Sequence, residues 1–403
     1  MGDSAGALAG VRVIDLTRIL AGPFCTQMLG DHGADVIKVE ALGGDETRRW
    51  GPPFSADGMS AYFRGVNRNK RSLTLDLSRD GGRSVLLRLL ENADVLLENF
   101  KAGQMEKWGL GYESSLRSRF PRLIYGQVTG YGTEGPLAGR PGFDAVAQVM
   151  SGLVSINGPA RGSPVRVGAP ISDLATAFYA TNGILMALYE RVRSDLGQKV
   201  DVSLLDCSVS LLHPHAANYF MTGEPPTRIG NAHPNIAPYE MFETANGFIF
   251  VAAGTNQQFE RLVTYLGKPE LASDSRFLDN ATRKANEKSL MAELSPLFVG
   301  RDASVLAEEL LADGVPAGAV LEVSQVLDHP QVRARGMVLE DGEYQGIGVP
   351  VKMGRTPGYP RMSPPKLGEH VNDILLEAGY DEAEIENLVT SSIVGDVVSS
   401  EGA

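Results

Sequence analysis

Residues 11–40 read VRVIDLTRILAGPFCTQMLGDHGADVIKVE. The opening VRVIDL, rich in β-branched residues, predicts a buried strand, and DVIKVE at 35–40 predicts a second one. Between them, the stretch after Pro23 predicts a helix that ends near Gly33. The alternation continues with SLTLDL at 72–77, a helix over 81–90, DVLLENF at 94–100 and LIYGQV at 123–128. Strands alternating with helices imply a parallel sheet covered on both faces. The expected fold class is therefore α/β, with a doubly wound, Rossmann-like sheet in a large domain.

Beyond a Gly/Pro-rich stretch at 158–170, ISDLATAFYATNGILMALYERV sets Leu174, Phe178, Ile184, Leu185 and Leu188 at roughly helical spacing. This predicts a long, largely buried helix. KVDVSLL at 199–205 adds a strand, and the composition shifts in the Pro-rich EPPTRIGNAHPNIAPY at 224–239, where a domain boundary is expected. The expected division is a large domain over 1–222 and a smaller α/β domain over 223–330, in which FIFVAAG is the first strand. A linker with a hairpin would follow over 331–365, then C-terminal helices over 366–403 that return to the large domain. The small, polar tail from Ser391 is expected to fray.

With 403 residues, 43% hydrophobic and 21% charged, the chain can bury a sizeable core in two domains. Its net charge of −12 argues against a nucleic-acid partner, which needs a concentrated positive face. Cys25 and Cys207 cannot staple a fold of this size and form no CxxC pair, which fits a reducing compartment. No apolar run approaches the ~20 residues of a membrane span, and the first ten residues lack the regions of a secretory signal. A soluble, unprocessed, cytoplasmic protein that works away from membranes is expected.

A βαβ unit ending in Glu40 invites a nicotinamide-dinucleotide reading, because an acidic residue there often holds a ribose 2′-hydroxyl. The turn argues against it: DLTRILAGP at 15–23 has Leu20 and Pro23 where glycines would let the backbone approach a pyrophosphate. A GxSxG string around Ser4 has neither the strand nor the helix of a nucleophile elbow. Cys207, His213 and His215 lack a matching second cluster, so no metal is expected. Arg64, Arg68, Lys70 and Arg71 read as a solvated basic loop or as one that binds phosphate. Asp173, after Ser172 at the start of the long helix, reads plainly as a helix cap. Its functional reading is a nucleophile kept ionised by the helix dipole and amide donors. Arg49 and Arg166 are candidates for gripping a second carboxylate on charge alone.

Several stretches, in their order and spacing, resemble the family III CoA transferases, the group of formyl-CoA transferase, carnitine-CoA transferase and α-methylacyl-CoA racemase. They are residues 8–40, NKRSLTLDL at 69–77, ADVLLENFKAG at 93–103, GFDAVAQVMSG at 142–152, VGAPISDLATAFYATNGILMAL at 167–188 and GQKVDVSLLD at 197–206. The resemblance implies that Asp173, which closes the GAPISD segment, is the catalytic nucleophile. It also implies an interlocked homodimer, each chain threaded through its partner, with CoA on the large domain of one subunit facing the small domain of the other. CoA would lie against Ile19, Leu20, Leu75, Asn99, Phe100, Lys107, Arg140 and Phe143, with Lys107 and Arg140 as phosphate partners and Asp144 in support.

Two departures refine what the resemblance implies. Leu20 stands where the formyl-CoA enzyme has a glutamine, and HPNIAPYEMF at 233–242 and AAGTNQQF at 252–259 replace its glycine-rich lid. These strings are more similar to members that handle succinate, glutarate and other dicarboxylates. The racemase alternative needs a histidine where Phe143 stands, and its helper glutamate falls near Thr255 or Asn256; a phenyl ring carries no proton. A non-catalytic CoA-binding protein and an NAD-dependent oxidoreductase are the remaining alternatives. The implied reaction moves CoA from an acyl-CoA, succinyl-CoA or another dicarboxylyl-CoA, to a carboxylic acid acceptor through aspartyl anhydride and aspartyl-CoA thioester intermediates. CoA is then a substrate, and no cofactor is expected. Backbone amides at the start of the Asp173 helix are expected to hold the oxyanion.

Overall fold

The computed structural model describes residues 6–342 and 344–395. Contacts divide the chain into two units, one formed by Met1–Ser151, Val167–Leu211 and Gln331–Ala403, the other by Gly152–Arg166 and Leu212–Pro330.

In the first unit six strands, β1 (Arg12–Asp15), β2 (Asp35–Glu40), β3 (Lys70–Thr74), β4 (Val95–Glu98), β5 (Ile124–Thr129) and β6 (Lys199–Ser203), form one sheet in the order β3-β2-β1-β4-β5-β6. Every pairing is parallel, and Val13 of β1 sits opposite Val36 on one side and Val95 on the other. The strand order reverses between β1 and β4. In an open sheet of this kind the crevice for ligands lies beyond the carboxyl ends of those two strands.

Alternating side chains send β1 to both faces. Val13 joins the buried cluster that holds Leu29 of α1 (Ala21–Asp31), and Ile14 the one that holds Leu86 of α2 (Asp80–Leu90). Burial of each such side chain contributes about 1.5–3 kcal/mol, which is why the strands read as continuous apolar runs. Two shorter helices, α3 (Asp144–Met150) and α5 (Leu204–Ser210), flank α4 (Ile171–Ser194). The hairpin β7 (Val338–Asp341) and β8 (Tyr344–Ile347) and the helix Val371–Glu377 belong to the same unit.

Helix α4 departs from expectation. Its buried residues are small, Ala175, Ala177, Ala180 and Ala187 with Ile184, and a Cβ on Gly183 would meet Val200 Cγ1 at 2.7 Å. The helix thus approaches the sheet by its alanines and glycine, while Phe178, Leu185, Met186 and Tyr189 remain exposed. The basic cluster also departs from both readings. Arg68 pairs with Asp31 at 2.7 Å, Lys70 with Asp15 at 3.1 Å, and Arg71 with Asp35 at 2.8 Å. Arg68 and Lys70 are buried, so they serve the core rather than solvent or a phosphate. The tail does not fray at Ser391: Val394 is buried and bridges to Leu75, and Gly395 donates its N–H to Thr74. Residues 396–403 lie outside the described residues, as does the GxSxG string but for Gly6.

The second unit has a small antiparallel sheet of β9 (Tyr239–Thr244), β10 (Gly247–Ala252) and β11 (Ala317–Ala319), in that order. Its core stacks Phe242 on Phe298 with ring centroids 4.1 Å apart. Among the described residues no helix is long and apolar enough to cross a membrane.

Candidate active site

The chain leaves β1 through Thr17, Arg18 and Ile19, and Ile19 takes a φ of 73°. A β-branched residue adopts that left-handed conformation only when its surroundings impose it. The Asn99 side chain brackets the Arg18 peptide, accepting its N–H at 2.9 Å and donating to its carbonyl at 2.8 Å. Buried Asp45 accepts the Ile19 N–H at 3.3 Å and Lys38 Nζ at 3.0 Å, and Lys38 also donates to the Thr17 carbonyl at 2.9 Å. This turn is therefore built by side chains, not by the glycines of a dinucleotide site. Glu40 is likewise occupied: Arg48 donates to both of its oxygens, at 2.7 and 2.8 Å.

Two cavities open at these strand ends and share Arg18, Phe100 and Lys101. The smaller, about 240 Å³, is lined by Ile19, Leu20, Asn99, Phe100, Arg140 and Phe143, and Asp173 reaches it. The larger, about 520 Å³, is lined by Leu75 and Phe100 together with Trp108. Of the residues singled out from sequence, Lys107 lines neither; it is the exposed last residue of the short helix Gln104–Lys107. Arg18 and Lys101 stand as cations in its place, and the sequence signal for Arg18 was its position in the turn beyond β1 at the strand-order reversal.

Asp173 is the third residue of α4 and does not cap it; Pro170 occupies the cap position. The cap comes from Asp144, the first residue of α3, whose Oδ1 accepts the N–H of Ser172 at 2.8 Å and of Asp173 at 3.3 Å. Gln148 fixes the other oxygen of Asp144 at 2.7 Å, and Ser208 of α5 donates to Ser172 Oγ at 2.7 Å. The Asp173 carboxyl is pushed up to about 7, first by burial and then by the charge of Asp144. This reverses the expectation of a carboxylate held ionised by amide donors, because Asp144 takes those donors. The same geometry removes the expected oxyanion donors: Ile171 donates to the Ala169 carbonyl, Leu174 to that of Pro170, and the two amides between them to Asp144.

Tyr62 is a further residue that sequence reasoning missed. Its phenol is pushed up to about 12 by burial and then by the charges of Asp173, Asp144 and Asp45, so it stays neutral. Its ring packs edge-on against Trp50, centroids 5.0 Å apart. Phe143, at the cap of α3, is 57% exposed and puts a ring without a transferable proton on the wall of the smaller cavity. Among the described residues no group of three or more His, Cys, Asp or Glu side chains is placed to hold a metal ion.

A sequence profile of CoA-transferase family III matches residues 8–371. The chain belongs to that family. As a family III CoA-transferase it is 44% identical over 382 residues to a succinate–glutarate CoA-transferase of Agrobacterium fabrum, covering 92% of this chain and 95% of that protein. It is 42% identical over 390 residues to a succinyl-CoA:mesaconate CoA-transferase of Haloarcula marismortui, covering 93% and 97%. The crystal structure of a CAIB/BAIF family protein from Brucella suis superposes with a TM-score of 0.84 at 42% identity, over 93% of this chain and 100% of that one. Enzymes of this family take CoA thioesters as substrates, and these relatives are CoA-transferases, so the alternatives of a racemase and an oxidoreductase are not favoured.

Proposed function

We propose that this CoA-transferase moves CoA from a dicarboxylyl-CoA such as succinyl-CoA to a second carboxylic acid, with Asp173 as the covalent relay. The observation that carries the reading is the Asp173 carboxyl itself, pushed up to about 7 by burial and Asp144 at the edge of a cavity shared with Ile19, Leu20, Asn99, Phe100, Arg140 and Phe143. A carboxylate of raised basicity is a better nucleophile at neutral pH.

Asp173 Oδ attacks the thioester carbonyl, the C–S bond breaks, and a mixed anhydride and CoA thiolate result. The thiolate attacks the Asp173 carbonyl, releasing the donor acid and leaving an aspartyl-CoA thioester. The acceptor carboxylate attacks that thioester, expelling the thiolate and forming a second anhydride. Attack of the thiolate on the acceptor's carbonyl then gives the new acyl-CoA and restores the Asp173 carboxylate. Each acylation of Asp173 removes its negative charge and with it the repulsion from Asp144. Asp144 thus serves twice, capping α4 and raising the energy of the free carboxylate.

CoA would lie along the crevice, its phosphates near Arg18, Lys101 and Arg140, its remainder against Leu75, Phe100 and Trp108. The names of the relatives, succinate–glutarate and succinyl-CoA:mesaconate transferases, support the dicarboxylate class. The exposed Phe178, Leu185, Met186 and Tyr189 of α4 support a homodimer, which we take to be interlocked. Two free, buried cysteines support a cytoplasmic protein. No cofactor is required by these steps. The test is Asp173→Asn, assayed with succinyl-CoA and glutarate: transfer is lost while the variant still binds CoA. Full transfer by that variant would refute the relay.

A further inference from the structure

Glu98 closes β4 at the strand-order reversal, directly before Asn99 and Phe100, and is 1% exposed. Its Oε2 accepts the Phe100 N–H at 2.7 Å, and its Oε1 accepts the Tyr125 hydroxyl at 3.0 Å. A third donor is Gln127, its neighbour across the β4–β5 pairing. All three partners are neutral donors. An ionised carboxylate satisfies them all, whereas a protonated one must donate to the Tyr125 oxygen and so turn the buried Tyr125 hydroxyl hydrogen away from it. The turn that Glu98 holds is the wall between the two cavities: Phe100 lines both, packs edge-on against Trp108 at 5.1 Å, and carries the Arg18 guanidinium 5.5 Å above its ring. Asn99, one residue on from Glu98, brackets the Arg18 peptide.

We propose that Glu98 is a positioning residue of the acyl-CoA crevice: only its ionised form holds the Asn99–Phe100 turn in the binding geometry, so CoA affinity depends on one buried proton. Titration falls in a useful range, because burial pushes the carboxyl up to about 7; the three donors pull it down and the charge of Glu106 pushes it up. The titratable groups facing it are Tyr125 from β5 and Glu106 from the helix Gln104–Lys107; no lysine or arginine is paired with it among the described residues. Protonation frees the Phe100 amide or displaces the Tyr125 hydroxyl, and the turn that carries Phe100 and Arg18 loosens. The inference rests on the crevice being the CoA site.

The experiment uses the Asp173→Asn protein, in which the other carboxyl titrating near neutrality is absent. Isothermal titration calorimetry gives the Kd for free CoA from about pH 5.5 to about pH 8.5, with and without Glu98→Gln. Glutamine is the neutral analogue of the protonated carboxyl: its oxygen still accepts from Phe100, its nitrogen donates to the Tyr125 oxygen, and it does not titrate. The ligand's own phosphate ionisation is common to both proteins. The expected result is that Asp173→Asn loses up to about tenfold affinity per pH unit below 7, whereas Asp173→Asn/Glu98→Gln binds weakly throughout, as Asp173→Asn does at low pH, without that loss. Tyr125→Phe, added to Asp173→Asn, removes a donor that favours the carboxylate and shifts the midpoint to higher pH. A Glu98→Gln protein that keeps full CoA affinity overturns the positioning role alone, as does a Tyr125→Phe midpoint that does not move. No CoA binding by any variant at any pH overturns the crevice reading and this inference together.

Discussion

Replacing Asp173 by asparagine should stabilise the fold, increasingly so as pH rises. Folding moves this carboxyl from its ordinary 3.8 to about 7, so between those values the folded protein keeps a proton that the unfolded chain gives up. The cost is absent below the lower value, grows through the interval and levels off above the higher one. One pH unit of displacement is worth about 1.4 kcal/mol, which puts the cost at ~2 kcal/mol at pH 5 and ~4 kcal/mol at pH 8. Water screening at a half-buried group makes both figures ceilings. Asparagine has the same shape and no proton to lose. With an unfolding entropy of about 2.1 cal/mol/K per residue, ~4 kcal/mol over 403 residues raises Tm by about 5 °C. Differential scanning fluorimetry of both proteins across pH 5–8 reads the gap directly: about 2 °C opening to about 5 °C. A gap that is constant with pH, or a less stable variant at pH 8, would refute the claim that burial and Asp144 destabilise the Asp173 carboxylate.

Asp144→Asn should keep the cap on α4, since asparagine accepts amide hydrogens about as well, while lowering the Asp173 pKa by removing a negative neighbour. The acid limb of the kcat/KM profile then moves to lower pH, which steady-state kinetics across pH will show. Arg18→Ala should raise the Kd for CoA by roughly tenfold or more, the worth of a lost charge-assisted bond of about 1.5–3 kcal/mol, as read by calorimetry. Lys70→Met leaves Asp15 buried without its ion pair and should cost about 3–5 kcal/mol, seen as a large fall in Tm; Asp15→Asn combined with it should recover part of the loss.

The sheet was legible because most of its strands carry a short apolar run bounded by turn residues; DVIKVE became β2 at the residues expected, while β3, KRSLT, starts two residues before the stretch expected at 72–77. The exposure of α4 was not legible, because spacing marks an apolar stripe without saying whether the helix packs by its large residues or by its alanines. The basic cluster misled for a related reason. Lys70 and Arg68 meet Asp15 and Asp31, partners distant in sequence that only the βαβ topology brings near. Asp173 was recognisable through its segment, and Ile19, Leu20, Asn99, Phe100, Arg140 and Phe143 do gather around it at one cavity. The electrostatics of Asp173 were not recognisable, because the donors of its helix are consumed by Asp144, which is remote in sequence and enters through α3. Tyr62 carries no motif of its own; its place beside the carboxylates exists only in the folded chain.

The central claim is that Asp173 becomes covalently bonded during turnover. Intact-protein mass spectrometry after incubation with succinyl-CoA, with and without hydroxylamine, followed by peptide mapping, tests it most directly. The expected result is a CoA-sized adduct on the peptide carrying Asp173, converted by hydroxylamine to the aspartyl hydroxamate and absent from Asp173→Asn. An enzyme that turns over while its Asp173 peptide stays unmodified under both conditions would contradict the account.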